Sequence, residues 1–189
     1  MRTTGRRPMR ADARRNYERL LVEATDLFAR HGVDASLEDV AKAAGVGIGT
    51  LYRHFPSRDA LIEALLRTRF DSLAATAEHL LRHPSPAEAV RIWARGFAET
   101  ATTFHGLVRH MAHALKDEGS QLFAACRRSR ESAGRLLRRA QESGEYRADL
   151  DPDDFVLLVQ SVAWASEHTH DDGSLDRLLS LVVDGLRPR

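Results

Sequence analysis

Hydroxyl, aromatic and basic side chains are concentrated in the segment GIGTLYRHFPSR at positions 47–58. Thr50 and Arg53 can hydrogen-bond to base edges or phosphates, and an arginine keeps its charge at every physiological pH. At about 100° per residue, these two side chains project away from Leu51 and Phe55. The spacing therefore predicts a short helix with one apolar face on a core and one polar face that could enter a nucleic-acid groove.

A second short helix is predicted just before this segment. Ser36 and Asp39, three residues apart, are typical of a capped helix start, and apolar residues recur at helical spacing from Leu37 onward. Gly45 ends this helix. Two helices joined by a tight turn form a helix-turn-helix, whose second helix, here about 47–55, reads the major groove.

The three glycines of this turn allow another interpretation, because Gly45-x-Gly47-x-Gly49 resembles a phosphate-cradling loop. A dinucleotide-binding loop follows a strand and needs a further glycine where this chain has Thr50. Here a capped helix precedes the glycines, so the DNA-reading interpretation is favoured.

Catalytic and metal-binding motifs do not emerge from the chain. It has no nucleophile elbow, Walker loop or HExxH sequence, so we expect no enzyme. His110 and His113 share a helical face, and Cys126 or Glu167 could complete a zinc shell, but such ligands would come from separate helices. We therefore predict no metal and no cofactor. Cys126, the single cysteine, excludes an internal disulfide and is expected to be a small buried side chain, not a redox sensor.

Capping residues, prolines and glycines divide the rest of the chain into further helices, following a long first helix that starts near Arg14. The predicted spans are about 58–81, 86–104, the stretch between Gly106 and Gly119, 121–143, 152–168 and 175–186. Nothing shows the sustained alternation of a strand. The predicted fold class is all-α, with about nine helices.

Charge is distributed unevenly along the 189 residues, although the net charge is only +1. Residues 1–70 carry 13 Lys and Arg against 9 Asp and Glu. Much of the excess lies in residues 1–13, where Arg7 and Arg10 could follow phosphates or enter a minor groove. We predict a flexible basic arm there; the alternative is a solubilising tail without a DNA role.

Long apolar runs and a signal-peptide core are both missing, which predicts no membrane partner. With the single cysteine, this favours the cytoplasm, where a DNA-binding protein would be associated with the nucleoid.

The segment GVGIGTLYRHFPSRDALIEALL at positions 45–66 resembles the DNA-binding domain of the TetR family of bacterial transcriptional regulators. The resemblance covers about Arg14–Leu66, including the long first helix RRNYERLLVEATDLFARHG and the LEDVAKAAGV segment. It implies that Thr50, Tyr52, His54 and Arg58 contact operator DNA. The remaining two-thirds of the chain matches only weakly.

Two positions depart from the family pattern, which often has serine or threonine at Gly47 and a polar residue at Ile48. Ile48 either touches thymine methyl groups or packs on the preceding helix. The full set of predicted DNA-contacting residues is Ser36, Gly47, Ile48, Gly49, Thr50, Tyr52, Arg53, His54 and Arg58, with Arg7 and Arg10 in the arm.

A domain boundary is predicted between residues 14–57, the DNA-binding domain, and residues 58–189, a helical domain for effector binding and dimerisation. Aromatic, sulfur-containing and polar residues on its middle helices could line a pocket for an unknown small-molecule effector. The candidates are Trp93, Phe97, Thr100, Phe104, Met111, Leu115, Phe123, Cys126, Gln160 and Trp164.

The last two helices carry apolar residues on more than one face, which is typical of helices that are buried or shared with another subunit. The resemblance likewise implies a homodimer formed through them. The candidate interface residues are Phe155, Val159, Val162, Leu178, Leu179, Val182 and Leu186.

The sequence thus favours a transcriptional regulator, more specifically a ligand-responsive repressor that binds a palindromic operator as a homodimer. The alternative is a helical ligand- or protein-binding module in which the helix-turn-helix is only structural.

Overall fold

All regular elements in the described part of the chain are helices, which confirms the predicted all-α fold class. The computed structural model describes residues 6–169, 171 and 173–188, and of these the side chains of residues 6–10, 105 and 167 are not described. The helices are α1 (Arg6–His31), α2 (Leu37–Ala43), α3 (Ile48–His54), α4 (Arg58–Leu80), α5 (Pro86–Thr103), α6 (His105–His110), α7 (Gln121–Glu142), α8 (Pro152–Glu167) and α9 (Ser174–Gly185), with a 3-10 turn at Gly32–Asp34.

Serine caps set the starts of several helices, among them α2, α5 and α7. The hydroxyl oxygens of Ser36, Ser85 and Ser120 accept hydrogen bonds from the backbone N–H three residues further on, at 3.1, 3.2 and 2.9 Å. Pro86 and Pro152 occupy the first turns of α5 and α8, where the missing N–H has no intrahelical partner. Local chemistry therefore explains why these predicted starts lie close to the observed ones.

The basic arm differs from the prediction, because α1 already begins at Arg6 and includes residues 6–13. Pro8 falls in the first turn, where it is tolerated, and Asp12 pairs with Arg15 one turn later. Residues 1–5 and the side chains of Arg7 and Arg10 lie outside the description. The proposed contacts of those two arginines with DNA remain predictions.

The sixth helix is shorter than predicted, because α6 ends at His110 and turns follow as far as Ser120. The Asp117 carboxylate accepts a hydrogen bond from the Gly119 N–H at 2.9 Å, and the Ser120 hydroxyl donates to the Ala114 carbonyl at 2.6 Å. Such side-chain bonds compete with helical backbone pairing. The chain therefore leaves the helix well before Gly119.

Backbone contacts divide the chain into two compact units, and the division falls inside α4. The first unit contains residues up to Leu66 together with Gly106–Met111; the second contains Arg67–His105 and the chain from Ala112 onward. This division lies further along α4 than the predicted boundary at residue 58, because the first turns of α4 bury Leu61 and Ile62, which belong to the first unit.

The second unit is organised around α5, which packs against α7, α8 and α9. Trp93 on α5 is fully buried, and its Nε1–H donates to the Leu73 carbonyl at 3.1 Å. The ring of Trp93 stacks on Phe97 at 5.2 Å and approaches Phe155 of α8 at 6.2 Å. These aromatic contacts make α5 the centre of the apolar core.

In the described residues, no helix has the length and apolar character needed to cross a bilayer. Within the same residues, no three His, Cys, Asp or Glu side chains are grouped so that they could hold a metal ion. The imidazole Nε2 of His110 instead lies 2.8 Å from the Asp59 carboxylate.

Tyr146 provides a pH-dependent test of the second unit. Its ring is buried, and its hydroxyl donates to the Ala87 carbonyl at 3.2 Å. Burial raises the pKa of Tyr146 to about 12, whereas an unfolded chain titrates near about 10. This tyrosine therefore contributes its full stabilisation below about pH 10 and loses it as the pH rises through about 12.

We expect the free energy of unfolding, measured by urea denaturation at a series of pH values, to fall between about pH 10 and 12. Tyr146→Phe should remove most of this decline, and Tyr52→Phe, at an exposed tyrosine, should keep it. An equal decline in the Tyr146→Phe protein would show that another group is responsible.

Candidate nucleic-acid interface

The turn before α3 is set by one backbone conformation. Gly45 has φ of 67°, a left-handed value that a glycine adopts without steric cost. The Val46 N–H then donates to the Ala41 carbonyl at 2.9 Å, which closes the end of α2. The turn orients α3 so that one face meets the core of the first unit.

The inner face of α3 is apolar, as predicted. Leu51 and Phe55 are buried, and the ring of Phe55 lies 4.9 Å from the ring of Tyr17 on α1. α3 packs against both α1 and α2. A helix of seven residues is too short to be stable by itself in water, so these contacts fix both its existence and its orientation.

The outer face of α3 carries the predicted reading residues. Arg53 is exposed, Tyr52 is 46% exposed and Ile48 is 36% exposed. The hydroxyl-bearing Thr50 is partly exposed between them. At this exposure Ile48 can both pack on the protein and touch a thymine methyl group, so the two interpretations of this residue remain predictions.

Gly47 and Gly49 on this face are not required by contacts within the protein. A Cβ atom added at Gly47 or Gly49 would meet no atom within 4 Å, and neither glycine has a positive φ. Packing and backbone strain therefore do not call for glycine at either position. A surface without side chains at these points lets the backbone of α3 approach another molecule closely.

Two further predicted contacts have structural tasks as well. The hydroxyl oxygen of Ser36 is the cap of α2. The imidazole of His54 is half-buried and meets the Tyr17 ring edge-on, with 6.0 Å between ring centroids. Both residues help to hold the motif together, and their contacts with DNA remain predictions.

Arg58 has a structural role that the sequence did not reveal. Its Nη1 donates to the carbonyls of Val33 and Ala35, at 2.8 and 2.5 Å, and thereby links the start of α4 to the turn before α2. The side chain is half-buried. Nη1 of the guanidinium is thus hydrogen-bonded within the protein, and the predicted phosphate contact would be made by its other nitrogen atoms.

The predicted dimer surface requires a correction. Phe155, Val159, Val162, Leu179 and Leu186 are buried in the core of their own subunit, and only Leu178 and Val182 keep partial exposure. The exposed apolar residues of the last two helices are Leu157, Leu158 and Trp164 on α8 and Leu181 on α9, at 60%, 40%, 55% and 67% exposure. We call these four residues the outer apolar surface.

The pattern of α8 could have indicated this surface. Leu157, Ser161, Trp164 and His168 recur at helical spacing on the side opposite the buried residues. The rings of Trp164 and His168 lie 4.3 Å apart. The sequence alone could not decide which of two apolar faces of α8 is turned inward.

The residues predicted to line an effector pocket differ in burial, and Gln160 and Trp164 are exposed on α8. The other eight candidates are buried or partly buried: Trp93, Phe97, Thr100, Phe104, Met111, Leu115, Phe123 and Cys126. Met111 belongs to the first unit, whereas the other seven lie in the second. Their role in ligand binding remains a prediction.

Comparisons with known proteins agree with this geometry. Residues 85–188 match the family model described as "Transcriptional regulator SbtR-like, C-terminal domain", and residues 20–65 match "Bacterial regulatory proteins, tetR family". A solved TetR transcriptional regulator from Streptomyces coelicolor is 35% identical, with a TM-score of 0.77, and the match covers 91% of this chain and 98% of that one.

Two curated relatives are similar over different lengths. The HTH-type transcriptional repressor KstR2 of Rhodococcus jostii is 28% identical over 88% of this chain and 89% of its own. An HTH-type transcriptional regulator of Staphylococcus aureus is 38% identical over 78 residues, so the match spans 40% of each protein.

Arg53 is expected to read particular base pairs, because it is exposed on the outer face of α3. Arg53→Ala should reduce the preference for individual bases, at about 1 to 3 kcal/mol per lost contact, while binding to unrelated DNA changes little. Binding measured on a panel of single-base operator variants would show this. Arg91→Ala, which removes an exposed arginine from α5, is the matched control. An unchanged base preference would contradict the assignment of α3 as the reading helix.

Arg58 is expected to act on DNA affinity without selecting bases. Arg58→Ala should weaken binding to all sequences, and the slope of the logarithm of the binding constant against the logarithm of the salt concentration should become shallower by about 1. The free energy of unfolding should fall by about 1 to 2 kcal/mol. Affinities between low and high salt, together with urea denaturation, measure the two effects separately. If the variant loses stability but the salt slope is unchanged, Arg58 has only its structural role, the hydrogen bonds to Val33 and Ala35, and does not contact phosphate.

Proposed function

The chain belongs to the TetR family of bacterial transcriptional regulators, and we propose that it represses transcription as a homodimer that binds a palindromic operator and is released by a small-molecule effector. The observation that carries the proposal is the outer face of α3, whose glycines and exposed Tyr52 and Arg53 serve no packing need of the protein itself.

The DNA-binding step follows from that face. A helix enters the major groove only if its leading side is narrow and can hydrogen-bond, and phosphate contacts on either side then fix its register. Gly47 and Gly49 keep the face narrow, while Thr50 and Arg53 offer the polar groups. A repressor of this kind acts on the chromosome, which would place it in the cytoplasm at the nucleoid.

The outer apolar surface supports the homodimer. Leu157, Trp164 and Leu181 are each more than half exposed in the isolated subunit, which is unusual for large apolar side chains on two adjoining helices. α8 and α9 pack against each other, so the two helices can offer one continuous surface to a second copy. Two reading helices one helical turn apart would then match the two halves of a palindrome.

Repression, as opposed to activation, is supported by the similarity to the KstR2 repressors of Rhodococcus and Mycobacterium. For release, the effector must bind better to the conformation whose reading helices no longer match the operator. A coupling of about 1 to 3 kcal/mol is typical of such switches.

The first experiment is a selection from sheared genomic DNA at near-physiological salt, run in parallel with a variant in which Thr50, Tyr52 and Arg53 are all alanine. Enrichment of a palindromic site by the parent protein alone supports operator binding. A reporter gene placed behind that site should be expressed less when the protein is present. Weak, salt-insensitive binding to every fragment would favour the binding-module alternative.

Leu157→Glu should separate the subunits, because a dimer interface would have to bury the introduced carboxylate. We expect a monomer in light scattering after gel filtration, and operator affinity at least about 100-fold lower, since the two half-sites are no longer bound together.

Ile92→Glu is the matched control for this variant, because Ile92 is 38% exposed but lies on α5, outside the outer apolar surface. It should leave both the subunit number and the operator affinity unchanged. A dimeric Leu157→Glu protein with full affinity would exclude this surface as the interface.

A further inference from the structure

One buried hydroxyl in the second unit has no hydrogen-bond partner. The fully buried polar residues of the described chain are Ser129, Ser132 and Ser174. The Ser132 hydroxyl donates to the Glu78 carboxylate at 3.3 Å, and the Ser174 hydroxyl reaches the Ser166 carbonyl at 3.5 Å. The hydroxyl of Ser129, which is 1% exposed, meets no partner among the described residues.

The lack of a partner has an energetic cost. A buried hydroxyl without a hydrogen bond has lost its hydrogen bonds to water without replacing them, which lowers the stability of the fold by about 1 to 3 kcal/mol. A helical serine usually avoids this cost by donating to the carbonyl four residues earlier. Thr100 and Ser161 do so in this protein, at 2.9 and 2.8 Å, but Ser129 does not. An orphaned group of this kind calls for an explanation.

The orientation of α7 places Ser129 on the inner side of the second unit. Ala133, Leu136 and Ala140 of the same helix belong to the apolar core, and at about 100° per residue Ser129 lies on their face. The Tyr146 hydroxyl, just after α7, binds the Ala87 carbonyl near the start of α5. The two packed helices are therefore antiparallel, and Ser129, in the first half of α7, lies toward the C-terminal half of α5.

The surroundings of Ser129 are apolar, and the helix becomes partly exposed one turn earlier. One turn earlier on α7, Cys126 is only partly buried, and so is Phe123. Burial raises the pKa of the Cys126 thiol despite the opposing effect of Arg130, as expected for a group in an apolar environment. Phe104, at the C-terminal end of α5, is buried as well.

We propose that Ser129 is the hydrogen-bonding anchor of the effector site, and that the effector is a largely apolar molecule whose uncharged hydroxyl or carbonyl oxygen accepts a hydrogen bond from this side chain. The inference rests on the ligand-responsive function proposed above. Serine is the only residue type among the fully buried polar residues of the described chain, so a charged group would meet no buried counter-charge at this depth.

The protein without ligand provides the first test. Ser129→Ala removes the unpaired hydroxyl and should raise the midpoint of thermal unfolding by about 2 to 4 °C. Ser174→Ala, which removes a buried serine that does have a partner, should leave the midpoint unchanged or lower it. A lower midpoint for Ser129→Ala would show that the hydroxyl is already bonded in the free protein, and would overturn the inference.

The second test uses two compounds of equal shape, 2-naphthol and 2-methylnaphthalene, which differ only in a hydroxyl and a methyl group. Titration calorimetry gives the ratio of their dissociation constants for the parent, Ser129→Ala and Ser174→Ala proteins. The preference for 2-naphthol should fall by about 5- to 10-fold in Ser129→Ala and stay constant in Ser174→Ala.

An unchanged ratio in Ser129→Ala would overturn the inference, and so would the failure of both compounds to bind the parent protein up to their solubility limits. The genomic selection is run on the same variants without ligand. Operator binding retained by Ser129→Ala separates a failure of the effector site from a failure of the proposed function.

Discussion

The orientation of α3 depends on the burial of two side chains, and the exposed face that we propose meets DNA depends on that orientation. α3 has only seven residues, so it cannot persist through its own backbone hydrogen bonds. Leu51 and Phe55 bind it to α1 and α2, and the left-handed turn at Gly45 sets the direction from which it arrives. Because one face of α3 is buried, the opposite face, which carries Arg53, is exposed to solvent.

In the second unit, too, the burial of large side chains fixes the positions of the helices. α5 is surrounded by α7, α8 and α9, and the buried Trp93 and Tyr146 each direct their polar atom to a backbone carbonyl. Large side chains are thereby buried without an unpaired donor. The Ser129 hydroxyl and the Arg139 Nη1 atom are exceptions, since both are buried without a hydrogen-bond partner among the described residues. Exceptions of this kind tend to occur where a protein binds something else.

The sequence predicted the features that depend on neighbouring residues. Helix starts at Ser36, Ser85 and Ser120 follow from a hydroxyl and an N–H three residues apart, and this chemistry is fully visible in the sequence. Features that depend on distant residues were missed. The link from Arg58 to Val33 spans the motif, and the inward face of α8 is chosen by α5 and α9, which no local pattern around Phe155 or Leu157 records.

The open space above Gly47 and Gly49 has a consequence for how such a regulator changes over generations. Because nothing inside the protein contacts these positions, larger side chains could be introduced there at little cost to folding. Under the proposed function, recognition and stability are therefore carried by different residues of one short helix. A duplicated gene could drift toward a new binding site through the outer face alone, while Leu51 and Phe55 keep the helix in place.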